Sequence, residues 1–484
     1  CNHCLGRVGG KKRFGQSAYE SGVEIRAQVV ETDSTMASAR ETNPLCPFCE
    51  NLFEEAPLLA ELIKEEIGER ECSRLQLGAR IPKDQTEAED HLRKRFGAGG
   101  SAPLKSSLVE EVARQLNDLG DGQNLVIDKP EILALIDVLT LTVELDIRSH
   151  YFYGRYRKLE RGIPQTKWPC RACKGRGCEK CDQTGLQYKS SVQGLIGDPL
   201  LEMFGSKEHA FHGMGREDID VRCLGRGRPF VMEMKKPIKR NIDAAVILEA
   251  INSSANGSIE GSDIRPSNRS EVVRVKDTPA EKSYTIRYKI EAITESEFDT
   301  LTQVMEVPAN NQDRNKRRKN HHRRKKPEPE PEPEAEVDYS GMKKAELVEL
   351  CVEKGLAKSG TKDVLIERLS SFKEATLPLP DSDYVMEIMT NLQGCTLAQR
   401  TPERVAHRRA DKIRKRKVLE TSNPSIEVDA DGNMVAEFSL RCESGTYVKE
   451  TVHGDSGRTQ PSIASLIKAK CTVEWLDVAD IHAD

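Results

Sequence analysis

The sequence predicts an α+β protein: an N-terminal zinc-binding α/β domain, then a second region of strands and helices interrupted by a small helical insert. Three observations lead there. Helix-period and strand-period segments alternate over residues 53–163 and again over 189–305. Eight of the 14 cysteines fall in four Cys-x-x-Cys pairs, a spacing typical of metal ligands rather than of a disulfide framework. A charged, proline-rich break at 308–337 separates the second region from two short amphipathic segments.

The elements follow in order. Residues 1–52 form a zinc-knuckle segment carrying Cys1, Cys4, Cys46 and Cys49. The chain starts on Cys1 rather than Met, which points to a trimmed start. No basic start leads into an apolar run, so a cytoplasmic protein is expected. No window holds about 18 consecutive apolar residues, which rules out a membrane-spanning helix. Residues 53–188 read as an α/β domain. Ala56–Ile67 has the 3.6-residue apolar spacing of an amphipathic helix, and Leu125-Val-Ile127 reads as a buried strand. Ala134–Leu145 is too apolar for its period to decide between helix and strand.

Cys170, Cys173, Cys178 and Cys181 supply two knuckles within one stretch, with Gly175 and Gly177 placed to turn one onto the other. Four thiolates complete a tetrahedral Zn²⁺ site and leave no open position, so both cysteine sets are read as structural. The plainer reading is free thiols on a loop. Residues 189–307 carry strand-like runs at 220–223, 229–233 and 284–290, and a helix near 242–252. The basic run Arg314–Lys326 and the Pro-Glu repeat after it have no apolar face, so 308–337 is expected to be a disordered linker.

Residues 338–373 resemble a SAP-type helix–loop–helix, a nucleic-acid-binding module. Leu347, Leu350 and Cys351 mark one face, and Leu365, Ile366 and Leu369 the other. A bare protein-contact hairpin is the alternative. The interrupted region resumes over 374–484, with a strand at 434–442 leading into Gly445-Thr-Tyr-Val-Lys-Glu450.

The formal net charge of −4 argues against a polyanionic partner only until it is divided. Residues 400–417 hold nine Lys/Arg against two acidic residues, a local +7 that includes His407-Arg408-Arg409. Residues 311–326 hold nine against one, a local +8. Charge is felt over a Debye length of about 8 Å, so such tracts act locally. A basic run is usually a solvated helix face; on an RNA-binding protein it serves as a phosphate track.

The segment Arg216-Glu-Asp218-Ile-Asp220-Val-Arg222 alternates sign. An aspartate between guanidinium groups stays ionised and suits nucleophilic catalysis or electrostatic stabilisation. A solvated strand with ion pairs is the plainer reading of the same residues. Residues 216–230 resemble the catalytic signature of the archaeal and eukaryotic THUMP-containing tRNA pseudouridine synthases, the family numbered ten among these enzymes. Matching stretches continue in Cys1-Asn-His-Cys-Leu-Gly-Arg7, Trp168–Cys181, Gln399–Asp411, Gly445–Glu450 and His453–Ser462. The insert at 308–373 departs from the family pattern.

The resemblance implies a mixed-sheet catalytic domain beside a THUMP-containing accessory domain. It implies conversion of uridine to pseudouridine in the TΨC arm of tRNA, at positions 54 and/or 55 in tRNA numbering. The catalytic carboxylate would be Asp218, not Asp220. Tyr284 would stack on the flipped base, with Tyr288 as rival, and Lys449 would hold Asp218 ionised. Leu466 would pack at the active-site floor. Arg216, Arg222, His407, Arg408 and Arg409 would bind the substrate, and Tyr447 would contact RNA or simply pack. No cofactor is needed for catalysis, a structural zinc is expected, and the enzyme is expected to be a monomer. Two rivals remain at this stage: a non-catalytic zinc and SAP nucleic-acid-binding protein, and a zinc hydrolase of RNA.

Overall fold

The computed structural model describes residues 1–9, 15–38, 44–98, 101–119, 124–305, 339–372, 375–407, 409–429 and 434–483. The expected linker at 308–337 and Arg408 lie outside the described residues. The chain divides into two compact units: Cys1–Ile219 with Gly227–Thr278, and Asp220–Arg226 with Pro279–Asp484.

The first unit opens with α1 (Asn2–Gly9), α2 (Ala18–Thr32), α3 (Ala56–Ile67), β1 (Arg74–Arg80), α4 (Lys83–Arg95), α5 (Leu104–Asp118), β2 (Asn124–Leu125), β3 (Ile132–Asp137) and β4 (Thr142–Ile147). The sheet runs β2-β1-β3-β4, parallel except for the β3/β4 hairpin. Helix α3 starts with Pro57 in its first turn and stops at Gly68. It buries Leu59, Ala60, Ile63 and Ile67 into one core with Leu75, Ile132, Ala134, Leu108 and Val112. The ambiguous stretch 134–145 is therefore parts of two strands. Burial of Ile132, Ala134 and Ile136 has period two, and Leu141 turns the hairpin at φ 50°. The expected buried strand at 125–127 is corrected: only Asn124–Leu125 pair, at the sheet edge, and Ile127 is 94% exposed.

The unit continues through β5 (His150–Lys158), α6 (Val192–Phe204), β6 (Glu208–Gly213), β7 (Arg222–Lys235), α7 (Ala244–Ala255), β8 (Ile259–Ser267) and α8 (Arg269–Asp277). Strand β5 pairs antiparallel with β8 and neighbours β7, which pairs with β6. Strand β5 belongs to this second sheet and not to the one before it. Phe152, Tyr156, Leu200, Phe204, Phe230 and Ile251 form its core.

The second unit holds β9 (Glu281–Glu291), α9 (Glu295–Thr302), α10 (Lys344–Glu353), α11 (Lys362–Ser371), α12 (Ser382–Asn391), β10 (Thr396–Arg400), α13 (Glu403–Ala406), β11 (Ile413–Val428), β12 (Met434–Cys442), α14 (Val448–His453), β13 (Thr459–Gln460), α15 (Ile463–Ile467) and β14 (Lys470–His482). Strand order is β13-β10-β11-β12-β9-β14, and β14 also takes the first residues of β7 in parallel, Asp477 opposite Arg222. Strand β9 alternates cleanly, with Ile286, Tyr288 and Ile290 buried. Helices α10 and α11 close on Leu347, Cys351, Leu365 and Leu369. The described residues of the basic run 400–417 include the end of β10, the four-residue α13 and the start of β11, so the run is not one helix face. No described helix is long and apolar enough to cross a membrane.

Candidate active site and metal centres

The loop Met214–Ile219 is held from beneath by side chains of its own unit. Glu217 and Arg228 are both buried, and Arg228 Nε lies 2.8 Å from Glu217 Oε2, an ion pair by distance rather than a linear hydrogen bond. Tyr156 donates its hydroxyl to Glu217 at 2.9 Å, and Arg228 Nη1 donates to the Met214 carbonyl at 2.6 Å. Gln165 donates to the Gly215 carbonyl at 3.0 Å. Lys158, fully buried, donates its ammonium to the carbonyls of Ile163, Asp218 and Ile219 at 2.8, 3.2 and 3.0 Å. Four of the loop's six carbonyls are thereby bonded, which fixes the backbone on either side of the half-buried Asp218. Arg216 is exposed and lies 5.0 Å over the Trp168 ring. The Gly-Arg-Gly that follows also has a geometric cause. Gly227, at φ 75°, would set a Cβ 2.8 Å from the Tyr156 carbonyl, and at Gly225 (φ 56°) a Cβ would overlap Ala479.

Sequence reasoning missed Tyr156, Lys158, Gln165, Glu217 and Arg228. Glu217 and Arg228 lie within the 216–230 stretch that drew attention by its charges, so their charge was visible but their burial was not. Lys158 and Gln165 gave no local signal.

In the second unit, Lys449 pairs with Asp220 at 2.6 Å. Arg222 is committed to a buried carboxylate, with Nη2 2.6 Å from Asp477 Oδ2, and that bond raises its pKa. Tyr288 is a core residue, fully buried with its ring edge-on to Phe438 and its hydroxyl without a hydrogen-bond partner among the described residues. Tyr284 sits on the same strand face near the start of β9, half-buried, opposite Leu440 and Val478. Leu466 is half-buried in α15, and its carbonyl accepts from the Tyr384 hydroxyl at 3.2 Å. Buried Gln399 grips Tyr447 through both its N–H and its carbonyl, each at 2.9 Å. The Tyr447 hydroxyl accepts from Arg409 at 2.9 Å. His407 and Arg409 are exposed.

Two sets of four cysteines converge: Cys1, Cys4, Cys46 and Cys49, and Cys170, Cys173, Cys178 and Cys181. Within each set all sulfurs lie within 4.8 Å of one another. Four soft donors at that spacing fit a tetrahedral Zn²⁺. In the first set, hydrogen bonding with Cys4 lowers the Cys46 pKa and raises that of Cys4, so one thiolate forms readily. In the second, burial raises the Cys173 pKa, but backbone N–H groups of Gly175 and Gly177 outweigh it and bring the thiol to about 7. Lowered thiol pKa values favour metal ligation.

Comparison with known proteins places these features. A model described as "Pus10, C-terminal" matches residues 151–328 and 375–482. "Pus10 THUMP domain, archaeal" matches 59–137, and "SAP domain" matches 338–373. The chain is 32% identical to tRNA pseudouridine synthase Pus10 of Methanothrix thermoacetophila, over 99% of the chain and 91% of that protein. It is 31% identical to the proteins of the same name from Methanopyrus kandleri and Methanothermobacter marburgensis, over 99% of the chain and 95% and 94% of theirs. The class defined by fold and site is an enzyme, an isomerase of the pseudouridine synthase type with a THUMP domain and a SAP module. Within that class, the chain belongs to the Pus10 family.

Proposed function

We propose that the enzyme converts uridine to pseudouridine in the TΨC arm of tRNA, at position 54, 55 or both, as a monomer, with Asp218 as the catalytic carboxylate. The observation that carries this reading is the Arg216-Glu-Asp218 loop, whose backbone is pinned on both sides of the aspartate, within a chain similar end to end to named tRNA pseudouridine synthases.

The target uridine leaves the stack at a cost of a few kcal/mol. Tyr284 stacks on it, offsetting roughly 1–3 kcal/mol. The Asp218 carboxylate then attacks C6 of the uracil or C1′ of the ribose, or first takes a ribose proton. The N1–C1′ bond breaks, the base turns, C5 bonds to C1′, the C5 proton leaves while N1 gains one, and Asp218 is released, so the isomerisation balances with no redox change. Lys449 acts on the neighbouring carboxylate, Asp220, and so fixes the chain just after the loop. Exposed cations of β11 and Arg409 follow the phosphates.

The test is pseudouridine mapping on unmodified tRNA transcripts. Asp218→Ala is expected to lose at least about 10⁴-fold in turnover, a loss typical of removing a nucleophile, while tRNA binding is retained. Asp220→Ala is expected to keep measurable turnover. Undiminished turnover in Asp218→Ala sinks the assignment.

A further inference from the structure

We infer that the ribbon Cys170–Cys181 is a positioning element for the Asp218 loop, acting through Gln165, Trp168 and Arg216. The inference rests on the reading above that Asp218 is catalytic. The stretch that leads into the ribbon touches the loop twice. Gln165 donates to the Gly215 carbonyl at 3.0 Å and to the Tyr156 hydroxyl at 3.0 Å. Three residues on, the Trp168 ring lies 5.0 Å beneath the Arg216 guanidinium. These contacts fall three and two residues before Asp218: Gln165 is buried on the side of the loop held by Tyr156, Glu217 and Lys158, and Trp168 meets the exposed Arg216.

The neck of the ribbon holds Trp168 in place. Pro169 bridges Leu186, the Cys170 N–H donates to the Gly185 carbonyl at 2.7 Å, and the Gln187 N–H donates to the Trp168 carbonyl at 2.9 Å. Tyr188, on the returning strand, meets the Trp168 ring edge-on at 5.6 Å. The crossing is tight: a Cβ at Gly185 (φ 71°) would lie 2.5 Å from the Gly175 carbonyl.

The cluster that orders the ribbon consists of the cysteines themselves, Cys170, Cys173 and Cys181 with half-buried Cys178. So short a segment cannot be ordered by apolar burial on this scale, and a metal held by the four sulfurs supplies the cross-link. Release of that metal frees the neck, then Trp168, then Arg216. The buried side of the loop stays in place, so the expected effect on Asp218 is partial.

The experiment uses the full chain. The sequence has two tryptophans, so Trp475→Phe leaves Trp168 as the single tryptophan, read by excitation selective for indole over the tyrosines. In that background, a chelator or Cys173→Ser is expected to shift Trp168 emission, and Arg216→Gln is expected to shift it as well. On saturating tRNA, Trp168→Ala is expected to lower kcat on the order of tenfold with tRNA affinity unchanged, and Trp168→Phe to restore most of it, since a cation over a ring needs a ring. Arg216→Gln breaks the same contact from an exposed residue if Trp168→Ala does not fold. Emission that ignores both metal removal and Arg216→Gln overturns the inference, as does wild-type kcat in Trp168→Ala. The emission arm does not depend on turnover. If Asp218→Ala stays active, the catalytic reading fails while the coupling of ribbon to loop is still judged.

Discussion

The Asp218 loop and the start of β11 are both dense in charge, and they hold it in opposite ways. In the loop, Glu217, Arg228 and Lys158 are all at most 5% exposed. Each is met by a counter-charge or by carbonyls at hydrogen-bond distance. On β11 the order is reversed: Lys415 and Lys417 are exposed, as is Lys412 just before the strand. A buried charge costs several kcal/mol to desolvate and persists only where its partners are complete. Such a group fixes geometry. An exposed charge is screened beyond about 8 Å and adds little to stability, yet its sum attracts a polyanion. One region therefore specifies a position and the other a sign.

The largest expected effect follows from removing one half of the buried pair. Glu217→Gln leaves the Arg228 guanidinium buried without its counter-charge, which destabilises by roughly 3–5 kcal/mol. Urea unfolding should show this as a lower midpoint for the first unit. Replacing both residues, as Glu217→Met with Arg228→Met, should recover a large part of the loss, because no orphaned charge remains. An unchanged midpoint in Glu217→Gln would mean that the loop is held by something other than this pair.

The same contrast governs what the sequence could reveal. Period-two burial in β9 and 3.6-period burial in α3 were legible, because each pattern needs only neighbours along the chain. Both Cys4 sets were legible from spacing, and their sulfurs do converge. The Asp218 motif was recognisable by resemblance. Its support was not, since Lys158 and Gln165 reach the loop across 60 and 50 residues of chain. Arg222 looked like a substrate cation beside Asp218, but its partner, Asp477, lies 255 residues away on β14. The hairpin at 132–147 was ambiguous for a different reason: its first strand is apolar at five of six positions and the turn itself carries Val138, Leu139 and Leu141, so composition hid the break.

A smaller effect is expected from β11, and of a different kind. With Lys412, Lys415 and Lys417 all changed to Ala, stability should stay within about 1 kcal/mol of wild type. tRNA affinity should fall, and the slope of log K against log salt should flatten by about 2 to 3, near one per lost phosphate contact. At saturating tRNA, kcat should hold. A fall in kcat without the change in salt slope would move these lysines from grip to positioning and erase the distinction between the two regions.

The smallest effect probes an exception to the rule that buried polar groups are satisfied. Tyr288 is fully buried on the core face of β9, and its hydroxyl has no hydrogen-bond partner among the described residues. Burial drives its pKa well above the usual phenol value, so the group is neutral at any working pH. A neutral hydroxyl left unpaired in an apolar site costs about 1–3 kcal/mol by mutational measures, and local relaxation recovers part of that. Tyr288→Phe keeps the ring and its edge-on contact with Phe438 while deleting only the unpaired oxygen. The variant should therefore be as stable as wild type or more stable, by up to about 1 kcal/mol. Its turnover should not change, in contrast to Tyr284→Ala, where loss of base stacking should cost roughly 1–3 kcal/mol of substrate interaction. If Tyr288→Phe is instead destabilised, the hydroxyl has a partner in solution, and Tyr288 joins the satisfied, position-setting polar groups typified by Glu217.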